Sequence, residues 1–247
     1  MKGDKKMDDK RKSKIVYGVI LCIGLMCAGF FPGYYYFKTY KTNNSVVVKG
    51  LAEMDVKADL AIWKIKFTVA GNDMMASQKK VETQLAEVIK FLKTAGFSDD
   101  EIIPDNLSVV DKLAERYGSD RTPTYRYILT QKLTVKSSNV NLVEKSSSNI
   151  SSLISKGIIF DGDEYSKPVS YLFTGLNEIK PKMLEEATKN AKQSAEEFAK
   201  ASDSKVGKIR KASQGVFSIL AETDDGYEKQ FINKKVRVVS TIEYWLD

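Results

Sequence analysis

The 247-residue chain has no histidine, and its only two cysteines, Cys22 and Cys27, lie inside one apolar run. Without imidazole there is no Ser-His-Asp or Cys-His catalytic set, no His-ligated zinc and no histidine pH switch. Without a thiol elsewhere, the residues beyond that run have neither a disulfide framework nor a cysteine site. Proline is scarce, at five residues, and the chain carries no phosphate-cradling glycine loop or dinucleotide fingerprint. What is present is 43% hydrophobic and 10% aromatic residues over a length of one or two domains, enough to build a packed core.

The apolar run is Ile15 to Phe37, uncharged throughout, with Lys14 and Lys38 directly outside it. As a helix it reaches roughly 35 Å, enough for a hydrocarbon core of about 30 Å. Its Ile, Val, Leu and Phe residues favour insertion by about 3 to 6 kcal/mol. Tyr34, Tyr35 and Tyr36 supply an aromatic belt at the far interface, and Pro32 lies near that end. Residues 1–14 hold seven basic groups against Asp4, Asp8 and Asp9, so the positive-inside rule predicts a cytoplasmic N-terminus. More than half of the formal +7 charge is thus a topology signal, and nucleic acid is not an expected partner. A cleaved signal peptide is the rival reading. The run exceeds the usual signal length, however, and the one small-residue site, Met26-Cys27-Ala28, has a bulky Met where a small residue is preferred. The expected organisation is a basic tail over 1–14, an anchor over 15–37, a linker over 38–44 and an outer domain over 45–247.

In the outer domain, period-two and period-3.6 patterns alternate. Val46 to Glu53 reads as a strand. Trp63, Ile65, Phe67 and Val69 alternate with Lys64, Lys66 and Thr68, which predicts a strand with one buried and one wet face. Tyr125, Tyr127, Leu129, Leu133 and Val135 repeat the pattern, as do Val236, Val238, Ile242, Tyr244 and Leu246. Further strands are expected near 102–113, 158–165 and 169–174. Helices are predicted over 74–95, capped by Asp73 and ended by Gly96, over about 140–156, ended by Gly157, and over about 180–202 with Pro181 in its first turn. Strand pairs separated by helices favour antiparallel pairing across tight turns. The predicted fold is α+β: antiparallel sheets with three packed helices behind one transmembrane helix.

No catalytic, cofactor-binding or metal-binding residue stands out. The acidic clusters Asp99-Asp100-Glu101 and Asp161-Gly162-Asp163-Glu164 lack calcium-loop spacing and read as solvated turns, as does Asp224-Asp225-Gly226. The Arg- and Tyr-rich stretch from Arg116 to Tyr127 offers stacking and anion contacts, but Gly118 and Pro123 punctuate it as a hairpin connection. Many serines and lysines are available, yet no motif singles out a Ser-Lys nucleophile pair. Ala187, Ala191, Ala195 and Ala199 recur at four-residue spacing. Such a ridge permits close approach either to the chain's own sheet or to a helix of another subunit.

These segments, in order, resemble the SIMPL-domain family of bacterial envelope proteins, which includes periplasmic immunogenic proteins. The resemblance spans about Ser45 to Leu246. It rests on Val46-Val47-Val48-Lys49-Gly50-Leu51-Ala52-Glu53, on Tyr125-Arg126 opening a long strand that ends Leu133-Thr134-Val135, on the helix through Ala187 to Ala199, on Lys205-Val206-Gly207-Lys208-Ile209 and on the closing Val236 to Leu246. It implies an extracytoplasmic α+β domain that tends to form homo-oligomers, ring- or channel-like in some members, with links to envelope stress. It supplies no catalytic residue, since the family has no settled enzymatic activity.

The expectation is therefore a non-enzymatic, single-pass protein of the bacterial cytoplasmic membrane, its N-terminus cytoplasmic and its C-terminal domain periplasmic or extracellular. That domain is expected to self-associate without a cofactor. Ala187, Ala191, Ala195, Ala199, Tyr125 and Arg126 are the candidate oligomer contacts. A ligand-binding or adaptor module of the envelope is the alternative, its small-molecule ligand unspecified.

Overall fold

A computed structural model describes residues 3–41, 44–114, 124–161, 168–222 and 227–247. The chain begins with helix α1, Gly3–Lys41, which includes Pro32. The helix therefore runs beyond the apolar stretch at both ends, through the basic tail and most of the segment expected to be a linker. Lys and Arg dominate the tail and are good helix formers. Within it, Tyr17–Tyr36 is long and apolar enough to cross a membrane, with mean hydropathy 1.6 and none of its surface buried in the protein.

After α1 come strands β1 (Ser45–Lys57) and β2 (Leu60–Gly71), helix α2 (Met74–Ala95) and strands β3 (Ile102–Pro104), β4 (Ser108–Asp111) and β5 (Tyr127–Ser137). Helix α3 (Val140–Asn149), β6 (Val169–Leu172) and helix α4 (Leu176–Ala201) follow, then β7 (Val206–Gln214), β8 (Ser218–Ala221) and β9 (Asn233–Leu246). The fold is α+β with antiparallel sheets, as the patterning predicts. Five strands form one sheet in the order β3-β5-β2-β6, with β4 also on β5, and four form a second in the order β1-β9-β7, with β8 also on β9. The contacts divide the chain into two compact units, residues 51–187 with 215–239 and residues 1–50 with 188–214 and 240–247.

The larger unit is built on β2 and β5. Their register sets Trp63 opposite Val135, Ile65 opposite Leu133 and Val69 opposite Leu129. All six are buried, and Val81, Val88 and Leu92 of α2 with Val143 of α3 complete the same core. Helix α2 has the predicted ends: the Asp73 side chain accepts a hydrogen bond from the Ala76 amide at 2.8 Å, and Gly96 closes the helix at φ 110°, a left-handed conformation glycine adopts without steric cost. A second cluster in this unit joins Ala52 of β1, Met183 and Ala187 of α4, and Val236 and Val238 of β9. Lys234, with no exposed side-chain surface, bonds both the carbonyl, at 2.7 Å, and the carboxylate of Glu228. The smaller unit packs Val48 against Ala191, Ala195, Ile242 and Tyr244.

Several boundaries differ from expectation. β1 and β2, separated by only Ala58 and Asp59, do not pair with each other. β2 lies between β5 and β6, and β1 pairs with β9. The corner serves other bonds, since Ala58 N–H donates to the Ile232 carbonyl at 2.8 Å and Asp59 turns its side chain to α4. The strand expected over 102–113 is two short ones, β3 and β4, both on β5. The long strand starts at Tyr127 rather than Tyr125. Residues 150–156 are a 3-10 turn rather than a continuation of α3, and of the strand expected over 158–165 only a single bridge, Phe160 with Phe67, is formed among the described residues.

Helix α4 starts four residues before its expected position, so Pro181 sits in the second turn. The Asp59 carboxylate explains the early start: it accepts the Thr174 amide at 2.8 and 2.9 Å and the Gly175 amide at 2.9 Å, satisfying donors at the helix entry. Replacing Asp59 with Ala is expected to lower stability by about 1 to 2 kcal/mol, while Asp59→Asn, which keeps an acceptor, retains most of it. Denaturant midpoints of the two variants check this.

Candidate functional site

Every alanine of the α4 ridge is buried by the chain itself. Ala187 lies against Ala52, Val236 and Val238 in the larger unit, and Ala191 and Ala195 lie against Val48, Ile242 and Tyr244 in the smaller. Ala187, Ala191 and Ala195 are 0% exposed and Ala199 2%. The ridge is spent on intramolecular packing and presents no surface to a second subunit, because a four-residue alanine repeat is what lets a helix lie close on its own sheet.

Tyr125 and Arg126 are exposed at the entrance to β5. The Arg126 guanidinium is bidentate to the Asp111 carboxylate, at 3.0 and 3.2 Å, and sits 4.8 Å from the Tyr127 ring centre. Its amide donates to the Asn72 side chain at 2.9 Å. These bonds tie β4, β5 and the end of β2 together, a structural use of the arginine. Arg116 to Pro123, Asp163, Glu164 and Asp224 to Gly226 lie outside the described residues. The other acidic cluster caps a turn: the Glu101 carboxylate accepts the Ser98 amide at 2.9 Å, and Asp99 pairs with Lys93 at 2.6 Å. Among the described residues no group of three or more Asp, Glu or Cys side chains converges in a way that could hold a metal ion.

Two surfaces remain. The first is the pair of ends of the four-stranded sheet. At one end β7 is exposed along most of its length, is bulged at two places and carries Lys208, Arg210 and Lys211. Arg210 stacks 4.5 Å from the Trp245 ring and bonds Glu243 at 2.8 Å, with Ser45 donating to the same carboxylate at 2.7 Å. At the other end β1 is a single 13-residue strand, without proline. Its inner positions Val48, Gly50 and Ala52 are buried, while Val47 is 62% and Leu51 39% exposed beside Lys49 and Glu53.

The second surface is the polar face of the five-stranded sheet. A cavity of about 650 Å³ crosses it, lined by Lys64 and Lys66 of β2, Lys132 and Thr134 of β5, Asp105 after β3, and Asp161, Phe160, Pro168 and Ser170 on the far side of β2. The chain reaches that side because Lys64 N–H donates to the Pro168 carbonyl and Asp161 N–H to the Lys66 carbonyl, both at 2.9 Å. Period-two alternation predicts the polar face. The cavity has no local signal, since its walls come from segments as far apart as Trp63 and Ser170.

An antiparallel α+β body behind one apolar helix is the class so far defined. The chain belongs to the SIMPL family: a family model described as "Protein of unknown function (DUF541)" matches residues 46–236. The match covers most of the domain the sequence resemblance spans and stops within β9. No curated protein matches the chain.

Several carboxyls outside α1 titrate low. Lys156 holds Glu87 below the usual range, Ser137 and then Ser98 do so for Glu101, Arg126 for Asp111, and Ser45 followed by Arg210 for Glu243. Burial pushes Tyr171 and Tyr244 up. A depressed carboxyl binds its proton more tightly when unfolded, so its contribution is present above about pH 4.3 and is lost as the pH falls toward its folded value. A raised tyrosine loses its contribution above about pH 10. With no histidine, the unfolding midpoint is expected to be flat from about pH 5 to 9 and to fall outside that window; thermal scans across pH check it.

Proposed function

We propose that this SIMPL-family chain is a non-enzymatic envelope protein, held in the bacterial cytoplasmic membrane by α1, with its α+β domain outside the cytosol and linked to envelope stress. Self-assembly into a homo-oligomer is the proposed action. The observation that carries it is the difference between the two ends of the four-stranded sheet. The β7 end has bulges and basic side chains, features that discourage strand addition, whereas β1 ends the sheet as a 13-residue strand without proline and with exposed Val47 and Leu51. Its charges are also self-complementary. An antiparallel pair of copies centred on Leu51 sets Lys49 of each against Glu53 of the other, a favourable cross-strand pairing. A shared membrane raises the local concentration at which such edges meet.

The full chain in uncharged detergent micelles is expected to scatter light as an oligomer, and Leu51→Lys to shift it toward monomer while changing stability by no more than about 0.5 kcal/mol. A strict monomer at high concentration overturns the assembly reading. For placement, a reporter joined after Asp247 that functions only outside the cytosol is expected to be active, with the protein retaining its first 37 residues. A cytosolic reporter, or a mature chain starting beyond Ala28, overturns the anchored topology. A ligand-binding or adaptor role is the second reading, favoured by the cavity on the five-stranded sheet.

A further inference from the structure

We infer that the lysine-lined trough on the polar face of the five-stranded sheet is a binding site for a small soluble anion bearing two adjacent phosphoryl groups. The inference goes beyond assembly, which rests on the other sheet.

Antiparallel register places Lys66 directly opposite Lys132 and Lys64 opposite Thr134. Directly opposed side chains start about 5 Å apart, and Lys64 and Lys66, two residues apart on one face, about 7 Å apart. Three ammonium groups therefore share a patch two strands wide. Like charges opposite each other destabilise a sheet unless something neutralises them. Asp161 forms an ion pair with Lys66. Lys64 and Lys132 have no ion pair or side-chain hydrogen bond among the described residues. The remaining carboxylate of the trough, Asp105, accepts from the Thr134 hydroxyl at 3.3 Å.

The surroundings select the ligand. Ammonium groups make strong, charge-assisted bonds to phosphoryl oxygens, and the hydroxyl of Ser170 adds a donor in the same trough. Two adjacent phosphoryl groups engage Lys64 and the Lys66–Lys132 pair together and relieve the repulsion within that pair. Asp105 bounds the patch on the β3 side and Asp161 on the far side of β2. Carboxylates at both margins repel an extended polyanion, so neither a nucleic-acid backbone nor an anionic membrane surface fits as well as a short diphosphate. The volume of about 650 Å³ suits a small ligand.

The test is calorimetric titration of the full chain, in uncharged detergent micelles, with inorganic pyrophosphate. Saturable one-to-one binding is expected, weakening as salt rises and at least about tenfold tighter than for orthophosphate. The double variant Lys64→Gln/Lys132→Gln is expected to lose at least about tenfold in affinity. Lys136→Gln, on the same face of β5 but outside the trough, should change affinity by less than about twofold. Lys132→Gln alone should unfold at the same temperature as the parent or higher, because Lys66 loses its like-charged neighbour, which separates lost binding from lost folding. The site is overturned by an absence of saturable heat up to about 1 mM pyrophosphate, by full affinity in the double variant, by an equal loss in Lys136→Gln, or by binding to phosphatidylglycerol vesicles that pyrophosphate does not displace. A protein that stays monomeric and still binds pyrophosphate would remove the assembly reading and leave this one standing.

Discussion

The antiparallel register between β2 and β5 is the constraint on which the larger unit depends. Side chains alternate faces every residue, so one register sends Trp63, Ile65, Phe67 and Val69 inward together with Leu129, Leu133 and Val135. Slipping it by one residue would expose that whole set. The same register decides the opposite face, where it brings Lys66 to Lys132 and Lys64 to Thr134. The core and the lysine trough are thus two consequences of one pairing, and a like-charge contact on the wet side is fixed by the burial on the dry side.

The four-stranded sheet follows a different logic. Alanine at every fourth position of α4 brings the helix close to β1 and β9, and the valines, Ile242 and Tyr244 fill the space beneath it. That face of the sheet is used up. What the sheet leaves open are its ends, and these are unequal: β7 is bulged and basic, and β1 is long and free of proline. The assembly reading rests on that asymmetry and on the candidate membrane span, not on the alanine ridge that the repeat first suggests.

Much of the fold was legible because its signals are local. The ends of α2 follow from Asp73 and Gly96, which cap through atoms within a few residues of each terminus. The strands β2, β5 and β9 follow from their period-two patterns. Less legible were the features set by distant partners. The start of α4 depends on Asp59, 115 residues before the amide it binds, and no window around Leu176 contains that information. β1 and β2 look like a hairpin from their two-residue connection, yet the bonds made by Ala58 and Asp59 commit that corner to Ile232 and to α4.

Sequence alone determined the candidate membrane span, the absence of imidazole and thiol chemistry from residues 38–247, the α+β class and the membership suggested by the ordered segments. The first three depend on composition or on periodicity along the chain, and the last on the resemblance of particular segments in order. Only the tertiary structure decided which strands share a sheet, that the alanine ridge is internal, and that three lysines from two strands meet in one trough. Those outcomes depend on pairing between segments far apart in the chain, and pairing is chosen by the burial of whole faces at once, a property no single segment carries.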